Sequence, residues 1–155
     1  SLIEASLTEL NERLPFSELY AANRRLSGAI ITALHLPPPI EGTAAATRKF
    51  SRTGFDVATL NCACLVRVSD ERIAEVRIVV GGTPRLGTRL PAAEASLVDA
   101  PFTEETIEQG AQVARNAADV GDDQRASAEY RRELVYVGVK KCLLQIRQQL
   151  KGEGR

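Results

Sequence analysis

Apolar positions change period once along the chain. From Val57 to Val68 they form a long run, and between Arg72 and Val80 they recur at Ile73, Val76, Ile78 and Val80. Both stretches predict strands, since neighbouring strand side chains point to opposite faces. Ser69-Asp70-Glu71 between them is polar, so the pair reads as a β-hairpin. Ala29 to Leu36 predicts another strand, stopped by Pro37-Pro38-Pro39, which cannot lie inside a sheet. Beyond Gly81-Gly82-Thr83-Pro84 and the loop through Gly87 to Leu90, the spacing becomes helical. Pro91 begins a short helix through Glu94 and Leu97, with proline tolerated in the first turn. Thr103 followed by Glu104 and Glu105 marks a second helix start, running to about Asp119. A third helix is expected from near Ser127 to about Lys151, with Tyr130, Leu134, Val137, Leu144 and Ile146 on its apolar face.

The first residues read less simply. Ile3, Leu7, Leu10 and Leu14 recur at steps of three and four, which predicts a short amphipathic helix ended by Pro15. Ser17 is placed to cap a turn carrying Leu19 and Tyr20. Strands first and helices after predict an α+β two-layer sandwich: an antiparallel sheet of three to four strands followed by about three helices. No internal repeat interrupts that order.

Composition narrows the function. A chain of 155 residues suits one domain. Lys+Arg and Asp+Glu both number 20, so there is no overall basic excess to replace phosphate counterions, and a nucleic-acid partner is not expected. No run reaches the ~18 apolar residues of a membrane span, and the first ten residues lack the pattern of a signal peptide. Three cysteines cannot all pair within one chain, so free thiols in a reducing cytoplasm are expected. Aromatics make up 5% of residues, fewer than a stand-alone ring-binding pocket draws on, and neither Met nor Trp occurs; Ser1 either follows a removed initiator Met or opens a piece of a longer protein.

Candidate chemistry is sparse. Cys62 and Cys64 share one strand face, but a zinc site needs paired clusters, and only Cys142 and His35 remain as further thiol or imidazole ligands. Core packing is the expectation for these thiols, and a structural role for His35. Gly81-Gly82-Thr83-Pro84 lacks the lysine of a phosphate-binding loop and reads as a turn. Basic residues cluster at Arg48, Lys49 and Arg52, and again at Arg125, Arg131 and Arg132. The second cluster follows Asp122 and Asp123, which points either to a buried or interfacial ion-pair network or to a plain capped helix start.

Those residues carry a family likeness. Asp122-Asp123-x-Arg125-Ala126-Ser127-Ala128-Glu129-Tyr130-Arg131-Arg132 resembles the C-terminal motif of the flavoprotein subunits of molybdenum hydroxylases, the group of xanthine dehydrogenases and carbon monoxide dehydrogenase. In the same order, Ile30 to Pro37 resembles the linker strand leaving the FAD domain of that family. Lys49-Phe50-Ser51-Arg52 and Asp56-Val57-Ala58 resemble its basic strand and the start of the next strand. Arg72 to Ile78 with Gly81-Gly82-Thr83-Pro84 resembles its hairpin, and Ala92-Ala93-Glu94 its following helix. Glu12 to Tyr20 resembles the end of the FAD domain, which implies a strand where periodicity predicts a helix.

The resemblance implies residues 1–36 as the tail of a FAD domain with its linker strand, 37–151 as the flavoprotein C-terminal domain, and 152–155 as a frayed tail. It implies FAD as cofactor of the full subunit, held mainly by Gly-rich loops that this chain lacks, and a domain without bond chemistry of its own. Lys49 is the residue implied to meet the flavin. Arg52, Asp56, Asp122, Asp123, Arg125, Ser127, Tyr130 and Arg131 are implied as a structural or interface network. Ala29 stands where the family carries an acid, and Thr47 where some members carry an aromatic that covers the flavin ring. A molybdenum-binding subunit and an iron–sulfur subunit are the implied partners, with no membrane contact and a homodimer left open. The rival expectation is a diverged interaction module that binds no flavin.

Overall fold

The hairpin forms where its pattern places it. In the computed structural model, residues 4–7, 12–15, 31–82 and 87–152 are described. The chain divides into two units, Ser1–Pro39 and Ile40–Arg155.

In the first unit, β1 (Glu4–Leu7), β2 (Glu12–Pro15) and β3 (Ile31–His35) form an antiparallel sheet in the order β2-β1-β3. Glu4 faces Pro15 on one side and His35 on the other. The described residues of this stretch, Glu4–Leu7 and Glu12–Pro15, are strands, as the resemblance implies and not the helix that periodicity predicts. A helix of that length is marginal in water, whereas β1 is paired on both edges. Ile3, Leu10 and the expected turn at Ser17, Leu19 and Tyr20 lie outside the described residues.

The second unit is an α+β two-layer sandwich. Its sheet holds β4 (Thr43–Phe50), β5 (Leu60–Ser69), β6 (Arg72–Gly81) and β7 (Thr88–Arg89), antiparallel in chain order. Asp70 and Glu71 take φ of 51° and 61°, so the tight turn between β5 and β6 has both central residues left-handed. That geometry matches the right-handed twist of the flanking strands. Cys62, Cys64, Val66, Val76, Ile78 and Val80 point from one sheet face into the core.

Three helices cover that face. Helix α1 (Pro91–Leu97) buries Ala93 and Leu97, and α2 (Glu104–Ala117) buries Ile107, Ala111 and Ala114. Thr103 caps α2, its Oγ1 accepting from Thr106 N at 3.2 Å. Helix α3 (Ala128–Leu150) crosses β4 and β5 and buries Leu134, Val135, Val139, Cys142, Leu143 and Ile146. It approaches the sheet closely at Gly138, where a Cβ would lie 2.6 Å from Cys62 Sγ and 2.9 Å from Phe50 Cε2.

Four local expectations are corrected. Helix α2 ends at Ala117 rather than near Asp119. Strand β5 begins at Leu60, three residues after Val57, because residues 51–59 form a hydrogen-bonded loop. Tyr130 is 55% exposed, and Val137 is only half-buried. The buried stripe of α3 instead starts at Arg131, one position round the helix from Tyr130.

Candidate functional site

Two features of the second unit stand out. One is an ionic clamp at the start of α3, and the other is the sheet face that the helices leave uncovered.

The clamp is built on Arg131, whose side chain is 0% exposed. Its Nε donates to Thr59 O at 3.1 Å, and its Nη1 donates to Gly121 O at 2.6 Å and Ala126 O at 2.9 Å. Its Nη2 donates to Asp123 Oδ1 at 2.7 Å. The same Asp123 oxygen accepts from Arg125 N at 2.8 Å and Ala126 N at 3.1 Å. The Arg131 hydrogen bond, aided by those two N–H groups, lowers the Asp123 carboxyl to about 2. Asp122 Oδ1 accepts from Ala128 N at 2.8 Å, and Ser127 Oγ accepts from Tyr130 N at 3.2 Å, so the first turn of α3 is doubly capped. Through Thr59, whose N–H donates to Phe50 O at 2.7 Å, the clamp reaches the end of β4.

The β4–β5 loop sits beside it. Arg52 Nε pairs with Asp56 Oδ2 at 3.1 Å, and that bond with the Val57 N–H holds the Asp56 carboxyl below its ordinary range. Arg125 Nε lies 3.4 Å from Asp123 Oδ2, and its Nη1 reaches Ala58 O at 3.5 Å. Between this loop and α3 lies a cavity of about 380 Å³, lined by Lys49, Phe50, Arg52, Arg125, Tyr130 and Leu134 among others. The structure thus brings Arg52, Asp56, Asp123, Arg125 and Arg131 into one neighbourhood. It places Asp122 and Ser127 at the helix cap and leaves Tyr130 on the cavity wall.

Lys49 belongs to both features. It donates from Nζ to Gly54 O at 3.3 Å, yet it stands on the uncovered sheet face. There the strand register aligns Lys49 with Asn61 and Gly81, and Thr47 with Ala63, Val79 and Arg89. Thr47, Asn61, Ala63 and Val79 are all exposed. The result is a row of short side chains, Thr47, Ala63 and Val79, bordered by Lys49 on one side and Arg89 on the other. Sequence reasoning missed this face, because it becomes visible only once three strands are in register.

The three thiols lie on the opposite, buried side, with Cys62 Sγ 3.8 Å from Cys142 Sγ. Contact with Cys142 and then burial push the Cys62 and Cys64 thiols well up. Among the described residues, no group of three or more His, Cys, Asp or Glu side chains could hold a metal ion. Glu94, for which no role was expected, is buried and fixes α1 to the sheet. Its Oε1 accepts from Ile78 N at 2.9 Å, and its Oε2 from Arg89 Nη2 at 2.6 Å. Its one sequence signal is an acid in the first turn of a helix that directly follows a strand.

Residues 45–146 match the family of CO dehydrogenase flavoprotein C-terminal domains. The carbon monoxide dehydrogenase medium chain of Hydrogenophaga pseudoflava is 25% identical over 114 residues, which is 74% of this chain and 40% of that protein. A putative xanthine dehydrogenase FAD-binding subunit of Escherichia coli is 28% identical over 116 residues, again 74% of this chain and 40% of the relative. The chain therefore spans about 40% of the length of these relatives. Among solved structures, carbon monoxide dehydrogenase from Hydrogenophaga pseudoflava superposes with a TM-score of 0.79 at 25% identity, covering 92% of this chain and 52% of that one. Quinoline 2-oxidoreductase from Pseudomonas putida has a TM-score of 0.78 at 15% identity, covering 99% and 53%, and shares the fold. The strand-then-helix order, the clamp motif and these matches agree: the chain belongs to the CO dehydrogenase flavoprotein C-terminal domain family of molybdenum hydroxylases.

Proposed function

We propose that the uncovered face of the β4–β7 sheet closes over the flavin ring of a FAD-binding subunit whose other contacts come from a separate FAD domain. The observation that carries this reading is the row Thr47–Ala63–Val79 with Lys49 at its edge. A planar ring needs a flat, short-chained support, and these residues fit one. The described residues hold no phosphate-cradling glycine loop, so the rest of the dinucleotide needs another holder. In this reading residues 1–36 are the end of that domain and its linker. When bound there, the flavin would supply one- and two-electron transfer. Lys49 would hold positive charge beside the ring, where negative charge develops on reduction, and the short residues beside it would pack against the ring face. Docking to a molybdenum-binding and an iron–sulfur subunit follows from the same reading.

Amide NMR of the chain titrated with flavin mononucleotide tests it. Shifts are expected at Thr47, Lys49, Ala63 and Val79, with weak affinity and further weakening in Lys49→Met. Shifts confined to other residues, or none up to millimolar ligand, would refute the reading. Tight FAD binding by this chain alone would refute the inference of a separate holder.

A further inference from the structure

The β4–β5 loop lacks regular structure yet is firmly held. Ser51 Oγ donates to Thr53 O at 2.7 Å, Asp56 N donates to Thr53 O at 3.2 Å, and Val57 N donates to Asp56 Oδ1 at 2.8 Å. The Lys49 and Arg52 contacts tie it further. This fixed loop presents Phe55 at 105% relative exposure and Val57 at 67%. A pre-organised loop that holds apolar side chains in water loses little entropy on binding and gains by covering them.

The cavity beside the loop has matching chemistry. Phe50 and Leu134 are the apolar side chains of its lining, and the half-exposed Tyr130 is its aromatic wall. Lys49, Arg52 and Arg125 are its ionised lining residues, and no carboxylate lines it. Asp56 engages Arg52 at Nε and Asp123 engages Arg125 at Nε, and Arg125 Nη1 reaches Ala58 O, which leaves the Arg52 Nη groups and Arg125 Nη2 for another acceptor. Exposed aromatics interleaved with arginine are the composition of protein-interface hot spots. A second copy of this chain would bring the same cations against themselves across a two-fold axis, which is repulsive. The volume, about 380 Å³, suits one or two side chains rather than a folded element.

We propose that the cavity between the β4–β5 loop and the start of α3 docks an acidic peptide segment of a partner protein. An apolar side chain of that segment enters the cavity, its neighbouring carboxylates pair with Arg52, Arg125 and Lys49, and Phe55 and Val57 extend the contact beyond the rim. The inference goes beyond the flavin reading, rests on the cavity and the exposed loop beside it, and shares only Lys49 with that reading.

Fluorescence anisotropy of the 155-residue chain with labelled pentapeptides tests it. Glu-Glu-Phe-Glu-Glu is expected to bind, with affinity falling as salt rises. Glu-Glu-Gly-Glu-Glu and Lys-Lys-Phe-Lys-Lys should bind at least about tenfold more weakly, as should the first peptide to Arg125→Gln and to Phe55→Ser. Both substituted positions are solvent-accessible, and unchanged circular dichroism would confirm that the variants fold. Failure of the phenylalanine peptide to bind at millimolar concentration overturns the proposal. So does equal binding of the glycine peptide, or wild-type affinity in both variants. Full displacement by equimolar inorganic phosphate would assign the cavity to small anions instead. A concentration-dependent dimer abolished by Phe55→Ser would make it a self-interface, and either result overturns the peptide reading.

Discussion

Replacing Arg131 by methionine is the sharpest test of how this domain is held together. The side chain is wholly buried, and it donates to Thr59 O, Gly121 O and Ala126 O as well as to Asp123. Methionine keeps much of the volume, so the cavity contribution is small, but it returns no donors. Thr59 O and Gly121 O lose their donor at about 1 kcal/mol each, while Ala126 O keeps the Asp123 N–H, which gives about 2 kcal/mol before any loss at Asp123 is counted. Removing one member of a buried ion pair costs ~3–5 kcal/mol, so a total of about 3 kcal/mol is expected. With a urea slope of about 2 kcal/mol/M, the unfolding midpoint should fall by about 1.5 M. Thermal unfolding should fall by roughly 6–12 °C.

The exposed neighbour Arg132 supplies the control, because Arg132→Met should stay within about 0.5 kcal/mol. Arg131→Lys should recover only part of the loss, since one ammonium cannot span Thr59 O and Gly121 O as a planar fork does. If Arg131→Met and Arg132→Met shift the urea midpoint equally, the clamp carries no stability and the reasoning fails.

Other outcomes follow from the same contacts. The folded-state carboxyl of Asp123 lies at about 2, below its unfolded value near 3.9. Its contribution is therefore present above about pH 4 and lost as pH falls towards 2, and urea midpoints between pH 2 and 6 should show an acid limb that Asp123→Asn flattens. Gly138→Val would drive a side chain against Cys62 and Phe50 and should cost about 1–3 kcal/mol by thermal unfolding. Ser127→Ala removes the α3 cap and should cost about 1 kcal/mol in the same assay. Cys62, Cys64 and Cys142 should resist a thiol reagent in the folded chain and react together in denaturant; fast reaction of any of them when folded would contradict their burial.

What could be read before the structure was local. The β5–β6 hairpin, the α2 start at Thr103 and the α3 start at Ser127 each depend on residues within four positions of one another. Non-local features fared differently. The strand pairing of Glu4–Leu7 overrode a helical spacing, and there the resemblance to the FAD-domain end, not the periodicity, pointed to a strand. Acids beside arginines at 122–132 pointed to a network, yet which arginine is buried could not be chosen from charge alone. One signal was available: Arg131, Leu134, Val135, Gly138, Val139 and Cys142 recur at steps of three and four. A charged residue heading an apolar stripe is either a break in the stripe or a buried charge, and only the facing carbonyls decide between them. The flat face at Thr47, Ala63 and Val79 depends on the register of three strands and leaves no trace in any one of them.

Those facing carbonyls also explain why an apolar residue would serve poorly at this position. Thr59 precedes β5, Gly121 follows α2 and Ala126 precedes α3, so all three lie where regular hydrogen bonding has stopped. Ala126 O also takes the Asp123 N–H at 3.1 Å, but Thr59 O and Gly121 O depend on a side-chain donor. One guanidinium meets all three and still reaches Asp123. Because Thr59 in turn bonds to Phe50, the clamp fixes the point where β4 ends and the β4–β5 loop begins. Lys49, which edges the flat sheet face, and Arg52, which edges the cavity, flank that point. One buried arginine therefore supports both surfaces, and loosening it should disturb the proposed flavin and peptide contacts together, whereas Phe55→Ser should disturb only the second.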